Sequence, residues 1–240
     1  LPMSDPTSPA PSAAKADRPW GRRIAGWFGG LVGVMLAGAL AVLLLAAVAL
    51  AVATTHLPDI QGLSDYRPKL PLRVLATDGS VIGEFGEERR QYTPIAEIPK
   101  VMQDAVLAIE DARFYQHGGV DYIGVLRAGL ANFREARSQG ASTITMQVAR
   151  NFYLSTEKTL TRKLYEILLA LKIENLLSKD QILEIYMNQI FLGRRAYGFA
   201  AACEIYFGKP LKDITVAEAA MLAGLPAAPS AYNPIVNPKR

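Results

Sequence analysis

Cysteine and histidine are nearly missing from this 240-residue chain, with one Cys and two His in all. Cys203 stands alone, which excludes an internal disulfide, and His56 and His117 leave too few ligands for a Cys/His zinc site. No aromatic–basic motif of the kind that reads RNA or DNA occurs, and the net charge of +4 is modest. A nucleic-acid partner is therefore not expected, whereas anionic lipid or pyrophosphate suits such a charge. There is no internal repeat. Charge is absent altogether from Ile24 to Ala53, a run of about 30 residues.

That run explains much of the 50% hydrophobic content. A bilayer core needs only ~20 helical residues, so 24–53 is long enough to span it with some tilt. It exceeds the ~7–15 residues of a signal-peptide apolar region, although Ala51-Val52-Ala53 has the small-residue pattern of a cleavage site. Lys15, Arg18, Arg22 and Arg23 precede the run, while Asp59 and Asp65 follow it. The positive-inside rule then puts residues 1–23 in the cytoplasm and everything after the span outside. The first 19 residues, rich in Pro, Ser and Ala, are expected to be disordered.

Beyond the span, 54–98 reads as a linker (54–71) followed by a β-hairpin. In the hairpin, Asp78-Gly79 turns between Val74-Leu75 and Val81-Ile82. From Pro99 the periodicity is helical, and 99–240 reads as one domain. Helices are expected over Pro99–Ala112, from Asp121 to about Arg137, and over Ser142–Tyr153 and Thr159–Leu177. Thr159–Leu177 is apolar almost all round, which predicts a buried central helix. Ser178 with Gln181, and Thr215 with Glu218, have capping-box spacing ahead of two further helices. The expected fold class is mostly α with a small β appendage.

Two glutamates dominate the chemistry. Glu110 opens Glu110-Asp111-Ala112-Arg113-Phe114-Tyr115-Gln116-His117-Gly118, and Glu166 closes Arg162-Lys163-Leu164-Tyr165-Glu166. Between them runs Gly140-Ala141-Ser142-Thr143-Ile144-Thr145-Met146-Gln147, followed by Arg150 and Lys158. Paired carboxylates suit reaction at a sugar carbon, because one takes a proton while the other stabilises charge or holds a partner. Cations and hydroxyls suit a phosphate leaving group. The combination points to sugar transfer from a phosphate-activated donor. Each residue also has a plainer reading. Glu110 can pair with Arg113, Glu166 can form a structural pair with Arg162, and Ser142 or Thr143 can simply start a helix. Ser155-Thr156-Glu157-Lys158 matches a Ser-x-x-Lys nucleophile motif, but no Lys-Thr-Gly follows, so that chemistry is rejected here.

Together with Lys179-Asp180-Gln181-Ile182-Leu183-Glu184-Ile185-Tyr186-Met187-Asn188, these blocks closely resemble a known family in order and spacing. It is the peptidoglycan glycosyltransferase (transglycosylase) domain of class A penicillin-binding proteins and monofunctional transglycosylases. The resemblance covers about residues 72–240. That family often has Gln-Gln where this chain has Met146-Gln147, so only Gln147 is carried over.

The resemblance implies a lysozyme-like helical fold. It implies an inverting enzyme that polymerises lipid II into β-1,4-linked glycan strands and releases undecaprenyl diphosphate. Glu110 becomes the general base and Glu166 the second acid, near the donor pyrophosphate. Substrate contacts fall to Arg127, Ser142, Thr143, Gln147, Arg150, Lys158, Arg162 and Lys163, while His117 belongs to the fold and cleft wall. The implied partners are lipid II, the growing strand, the membrane and other cell-wall synthesis proteins. The implied location is the bacterial inner membrane, with a single-pass anchor and a periplasmic catalytic domain. A transpeptidase domain is expected after Arg240 in the parent protein. A divalent cation, Mg²⁺ or Mn²⁺, is left open as a cofactor. The competing readings are a lytic glycan-cleaving enzyme of related fold, which would not need the basic cluster, and a non-catalytic cell-wall scaffold.

Overall fold

The computed structural model describes residues 19–55, 57–64, 66, 68, 71–134, 142–154 and 159–237. The chain divides into two units, Leu1–Thr55 and His56–Arg240. In the first, a single helix α1 covers Pro19–Thr55, 37 residues. Described side chains such as Leu31, Leu36, Leu44 and Val52 are exposed along it. Among the described residues no helix is long and apolar enough to cross a membrane. The spanning assignment of 24–53 thus rests on the uncharged sequence and is taken up below as a proposal. The tail expected to be disordered lies outside the described residues, apart from Pro19.

The second unit runs β1 (Leu72–Leu75), β2 (Val81–Phe85), β3 (Arg89–Arg90), α2 (Lys100–Glu110), α3 (Tyr122–Arg134), α4 (Ile144–Tyr153), α5 (Leu160–Leu176), α6 (Lys179–Gln189), β4 (Ala196–Tyr197), α7 (Phe199–Phe207) and α8 (Val216–Gly224), with short 3-10 turns between. The expected hairpin is present: β1 and β2 pair antiparallel, and Leu72 faces Phe85. Gly79 makes the turn possible because its φ is +83°, a conformation that costs a side chain dearly. β3 and β4 add a second, parallel pairing of two residues each, too short to be visible in periodicity.

Helix boundaries follow local chemistry. Thr143, Thr159, Ser178 and Thr215 each cap a helix by accepting an N–H two or three residues into it. Such caps contribute ~1 kcal/mol each. Both expected capping boxes form, at Ser178/Gln181 and Thr215/Glu218. α2 stops two residues earlier than expected because Asp111 leaves the helix at φ −161°, ψ 74°. Asp121 opens α3 as anticipated, its carboxylate accepting the Gly124 N–H at 2.9 Å.

The core is helix against helix, with α2 on α8 and α4 on both α5 and α6. Met102, Val106, Ile144, Val148, Leu169, Ile173, Ile182, Leu183, Phe199 and Leu222 fill it. Two expectations need correction. Helix α5 is not buried on every face: Leu169, Ala170 and Ile173 are inside, but Leu164, Leu171 and Leu176 are exposed. A helix at the edge of a core needs only one apolar stripe inside. Nor is the stretch 54–71 a free linker. Ile60 and Leu63 are buried in the main core, Lys172 Nζ donates to Pro58 O at 3.1 Å, and the Tyr66 hydroxyl donates to Gln189 Oε1.

Much of the fourth sequence block is structural. Glu184 accepts the Tyr92 hydroxyl at 2.6 Å and the Ile95 N–H at 2.7 Å. Asn188 both donates to Thr93 O and accepts from Thr93 N, each at 2.8 Å. These bonds tie α6 to the segment that leads into α2, and so set where Glu110 emerges.

Candidate active site

Glu110 is the last residue of α2 and half-buried. Its Oε2 accepts the Gln147 side-chain amide at 2.6 Å. Burial pushes its pKa above the ordinary carboxylate range, opposed by the Gln147 bond and the nearby Arg150 charge, and reinforced by Asp111. A carboxylate held in one orientation with a raised pKa is a stronger base than an ordinary one and is suited to accept a proton. Behind Gln147 sits the buried Tyr186, its hydroxyl 3.5 Å from Gln147 Oε1.

Asp111, next in sequence, points elsewhere. It is buried, lies 3.0 Å from His117 Nε2 through each carboxylate oxygen, and accepts the Ile144 N–H at 3.1 Å. It therefore pins the start of α4, the helix that carries Gln147. Thr143 serves the same helix, donating its hydroxyl to Gly119 O at 2.6 Å and accepting the Met146 N–H at 3.2 Å. Thr143, given a substrate contact by the resemblance, thus also fills the helix-starting role of its plainer reading. That hydroxyl, and the Ile144 and Met146 N–H groups, already have protein partners. His117 is paired with Asp111, and no described hydrogen bond joins it to Glu110.

Glu166 is 1% exposed and bracketed by cations. Lys163 Nζ lies 3.0 Å from its Oε2, and Arg162 Nε lies 3.2 Å from its Oε1. Lys163 also donates to Ser142 Oγ at 2.9 Å and approaches Met146 Sδ at 3.7 Å. Ser142, Lys163 and Glu166 thus form one cluster. α4 joins the two acids: Met146 touches the Lys163 end and its neighbour Gln147 holds Glu110. The plainer reading of Glu166, a buried pair with Arg162, is also realised, and the two roles coexist because a carboxylate has two oxygens.

Arg150, on α4, lines a cleft of about 490 Å³ shared with Asn151, Arg162, Gln189, Tyr197 and Pro226. Two arginines therefore line one cavity, and neither glutamate is among the residues that line it. Arg127 is exposed on α3, and no described hydrogen bond or ion pair joins it to either glutamate. Lys158, like the Ser155–Lys158 motif, lies outside the described residues. Among the described residues, no group of three or more His, Cys, Asp or Glu side chains converges as a metal site. Around Glu166 the described neighbours are cations: Lys163 donates to Oε2, and the Arg162 guanidinium stands in ion-pair range of Oε1.

Three contributors were not singled out from the sequence. Tyr186 backs Gln147. Met146 touches Lys163. Gln189 lines the cleft while its side-chain oxygen accepts Arg90 Nη1 at 2.6 Å. Tyr186 and Gln189 lie in or just after the fourth block, yet nothing in their spacing separates a cleft residue from a core residue on a helix buried on several faces.

The Transglycosylase family matches residues 78–240, which is most of the chain and includes every residue of both acid clusters. Penicillin-binding protein 1A of Neisseria gonorrhoeae is 60% identical over 197 residues, covering 82% of this chain and 25% of its own length. A Cupriavidus necator protein named as a transglycosylase is 55% identical over 197 residues, covering 82% of this chain and 77% of its own. The crystal structure of penicillin-binding protein 1A from Haemophilus influenzae is 29% identical, covers 71% of this chain and 16% of that one, and superposes with a TM-score of 0.35. The chain belongs to the transglycosylase family and carries that family's enzymatic domain. It spans about a quarter of the length of the penicillin-binding protein 1A relatives it matches.

Proposed function

We propose that this domain polymerises lipid II into β-1,4-linked glycan strands by an inverting displacement, on a helical scaffold of the lysozyme-like kind. The observation that carries the reading is the Gln147–Glu110 bond, with the pKa of Glu110 raised by burial and within the influence of Arg150, which lines the cleft. Glu110 takes the proton from the acceptor sugar 4-hydroxyl as that oxygen attacks the donor anomeric carbon. The new C–O bond forms on the face opposite the pyrophosphate. The anomeric carbon–oxygen bond breaks, and the electron pair leaves with undecaprenyl diphosphate. The α-linked donor thus gives a β-linked product. The growing strand is the donor and a fresh lipid-linked unit is the acceptor.

Charge builds on the departing pyrophosphate, so cations aimed at it lower the barrier. Arg150 and Arg162 line the cleft, and Lys163 and Ser142 stand at the Glu166 end. Lys158 and Arg127 join this set by resemblance. Glu166 orients Arg162 and Lys163 rather than meeting substrate alone, and Thr143 acts by fixing α4. Residues 24–53 span the inner membrane as part of α1, leaving 1–23 in the cytoplasm and the catalytic unit in the periplasm. At ~1.5 Å per residue, 37 helical residues exceed a ~30 Å hydrocarbon core, so the helix extends past it. The exposed Tyr122, Ile123 and Leu126 on α3 suit work at a lipid surface. A transpeptidase domain following this one, as in a class A penicillin-binding protein, completes the proposal.

The deciding experiment incubates the purified chain with labelled lipid II in detergent and separates the products by size. Polymer that a muramidase digests to disaccharide units is expected. Cleavage of preformed glycan without polymer would favour a lytic enzyme, and neither product would favour a scaffold.

A further inference from the structure

Among the described residues no further strand pairs with the β1–β2 hairpin. It forms a two-stranded sheet of its own, so the outer edge of each strand is free among the described residues. One face carries Leu72, Val74 and Phe85, with exposures of 66%, 39% and 64%. The Phe85 ring lies over Gly83, where an added Cβ would come within 3.2 Å of it. On the other side Leu75 and Ile82 are exposed as well. A lone two-stranded hairpin is marginal in water, and free apolar edges invite pairing.

Its base is nevertheless held firmly. The Arg195 guanidinium donates to the carbonyls of Gly86 and Glu87, immediately after β2. The Arg89 N–H donates to Arg195 O at 2.9 Å. Arg195 adopts φ +64° and Arg194 φ +47°, conformations that cost a non-glycine residue energy and that these bonds offset. The same turn also touches the end of the domain. At Gly193 an added Cβ would lie 2.9 Å from Pro229 O and 3.5 Å from Asn233 Nδ2. Asn233 folds the terminal stretch, its Oδ1 accepting the Ile235 N–H at 3.0 Å and the Val236 N–H at 3.3 Å. The turn 193–195 therefore ties the foot of the hairpin to the stretch 229–236. The stretch 229–236 thus lies near the foot of the hairpin, and relatives such as the gonococcal penicillin-binding protein 1A are about four times as long as the matched region.

We propose that the hairpin is the docking platform for the polypeptide that follows residue 240 in the full-length protein. An extended segment of it adds as a strand to a free hairpin edge, and its apolar side chains cover Leu72, Val74 and Phe85. The hairpin would then couple this domain to the next through main-chain bonds, independently of the glycan chemistry.

Hydrogen exchange of the 72–85 amides tests this in the 240-residue chain and in the chain extended through its natural downstream sequence, both in the same detergent. The expected result is at least ten-fold slower exchange of the hairpin amides in the extended chain. Phe85→Glu, at an exposed position, should abolish that protection and leave thermal unfolding of the helical unit unchanged. Equal exchange in both chains would overturn the proposal. So would protection of the 240-residue chain that rises with its own concentration, which would mean a second copy. Protection on adding anionic phospholipid vesicles would mean a lipid surface, and a reading frame that stops at residue 240 would equally overturn it.

Discussion

Gln147 donates to Glu110 at 2.6 Å, and Asp111, the residue beside Glu110, accepts the first N–H of the helix that carries Gln147 at 3.1 Å. Adjacent carboxylates thus perform two tasks. Asp111 sets where α4 begins, and α4 in turn sets how Glu110 is held. Side-chain geometry of this kind depends on supports one layer back.

Replacing Glu110 by Gln should keep the fold and the α4 contact, because an amide oxygen still accepts from Gln147. It should lower polymerisation of lipid II by about 10²–10⁴-fold, the usual range for a lost general base. A variant retaining more than about a tenth of the rate, a loss under ~1.4 kcal/mol, would remove Glu110 from that role.

The same substitution should change stability with a definite sign. Burial raises the folded-state pKa of Glu110, so folding favours its protonated form. That contribution is present below the ordinary carboxylate range and is lost as pH rises through the raised value. At pH 7 the wild type therefore carries the cost of a half-buried anion that Glu110→Gln does not. The variant should melt higher at pH 7, and the gap should close on acidification toward pH 4. Gln147→Ala removes a donor that lowers this pKa, so the acid limb of its kcat profile should move to higher pH. Differential scanning calorimetry and a pH–rate profile check the two halves.

Arg162→Ala should leave the 1%-exposed Glu166 with one partner instead of two. Breaking a buried pair from one side costs ~3–5 kcal/mol, and the remaining Lys163 should hold the loss toward the lower figure. Adding Glu166→Gln should restore most of the stability without restoring activity. Urea denaturation of the single and double variants measures the coupling, and simple additivity would mean that the pair contributes nothing.

Arg150→Ala should weaken binding of phosphate-bearing donor analogues about ten-fold, or ~1.4 kcal/mol, and reduce the salt dependence of the rate. Titration calorimetry at low and high ionic strength reads both. Unchanged affinity would make Arg150 a solvated surface charge on the cleft wall.

Trimming the chain at Leu72 should destabilise the catalytic unit, whereas trimming at His56 should not. The difference is Ile60 and Leu63, each about 2% exposed, together with the bonds from Tyr66 and Lys172. Burying two such side chains contributes ~3–6 kcal/mol. Equal melting temperatures for the two truncated chains would return 54–71 to the status of a linker.

The sequence alone determined a good deal. Local signals sufficed where a single residue type answers a local need: the Gly79 turn, the Thr and Ser caps, and both capping boxes all stand where the chain places them. The uncharged run 24–53 and the two glutamates with their basic neighbours were equally plain, because charge and its absence need no partner to be read. What only tertiary structure decided is which face of each element meets what. Ile60 and Leu63 sit among Pro and Gly, as a linker's residues do, and only the packed helices turn them into core. Thr143 and Ser142 look alike in sequence, yet one hydroxyl is spent on Gly119 and Met146 while the other faces Lys163. Tyr186 and Asn188 belong to one block and one helix, but one backs Gln147 and the other staples Thr93. Hydrogen bonds and desolvation are set by neighbours distant in the chain, so the pKa of Glu110 and the pairing of Glu166 came into view only once α2, α4 and α5 were brought together.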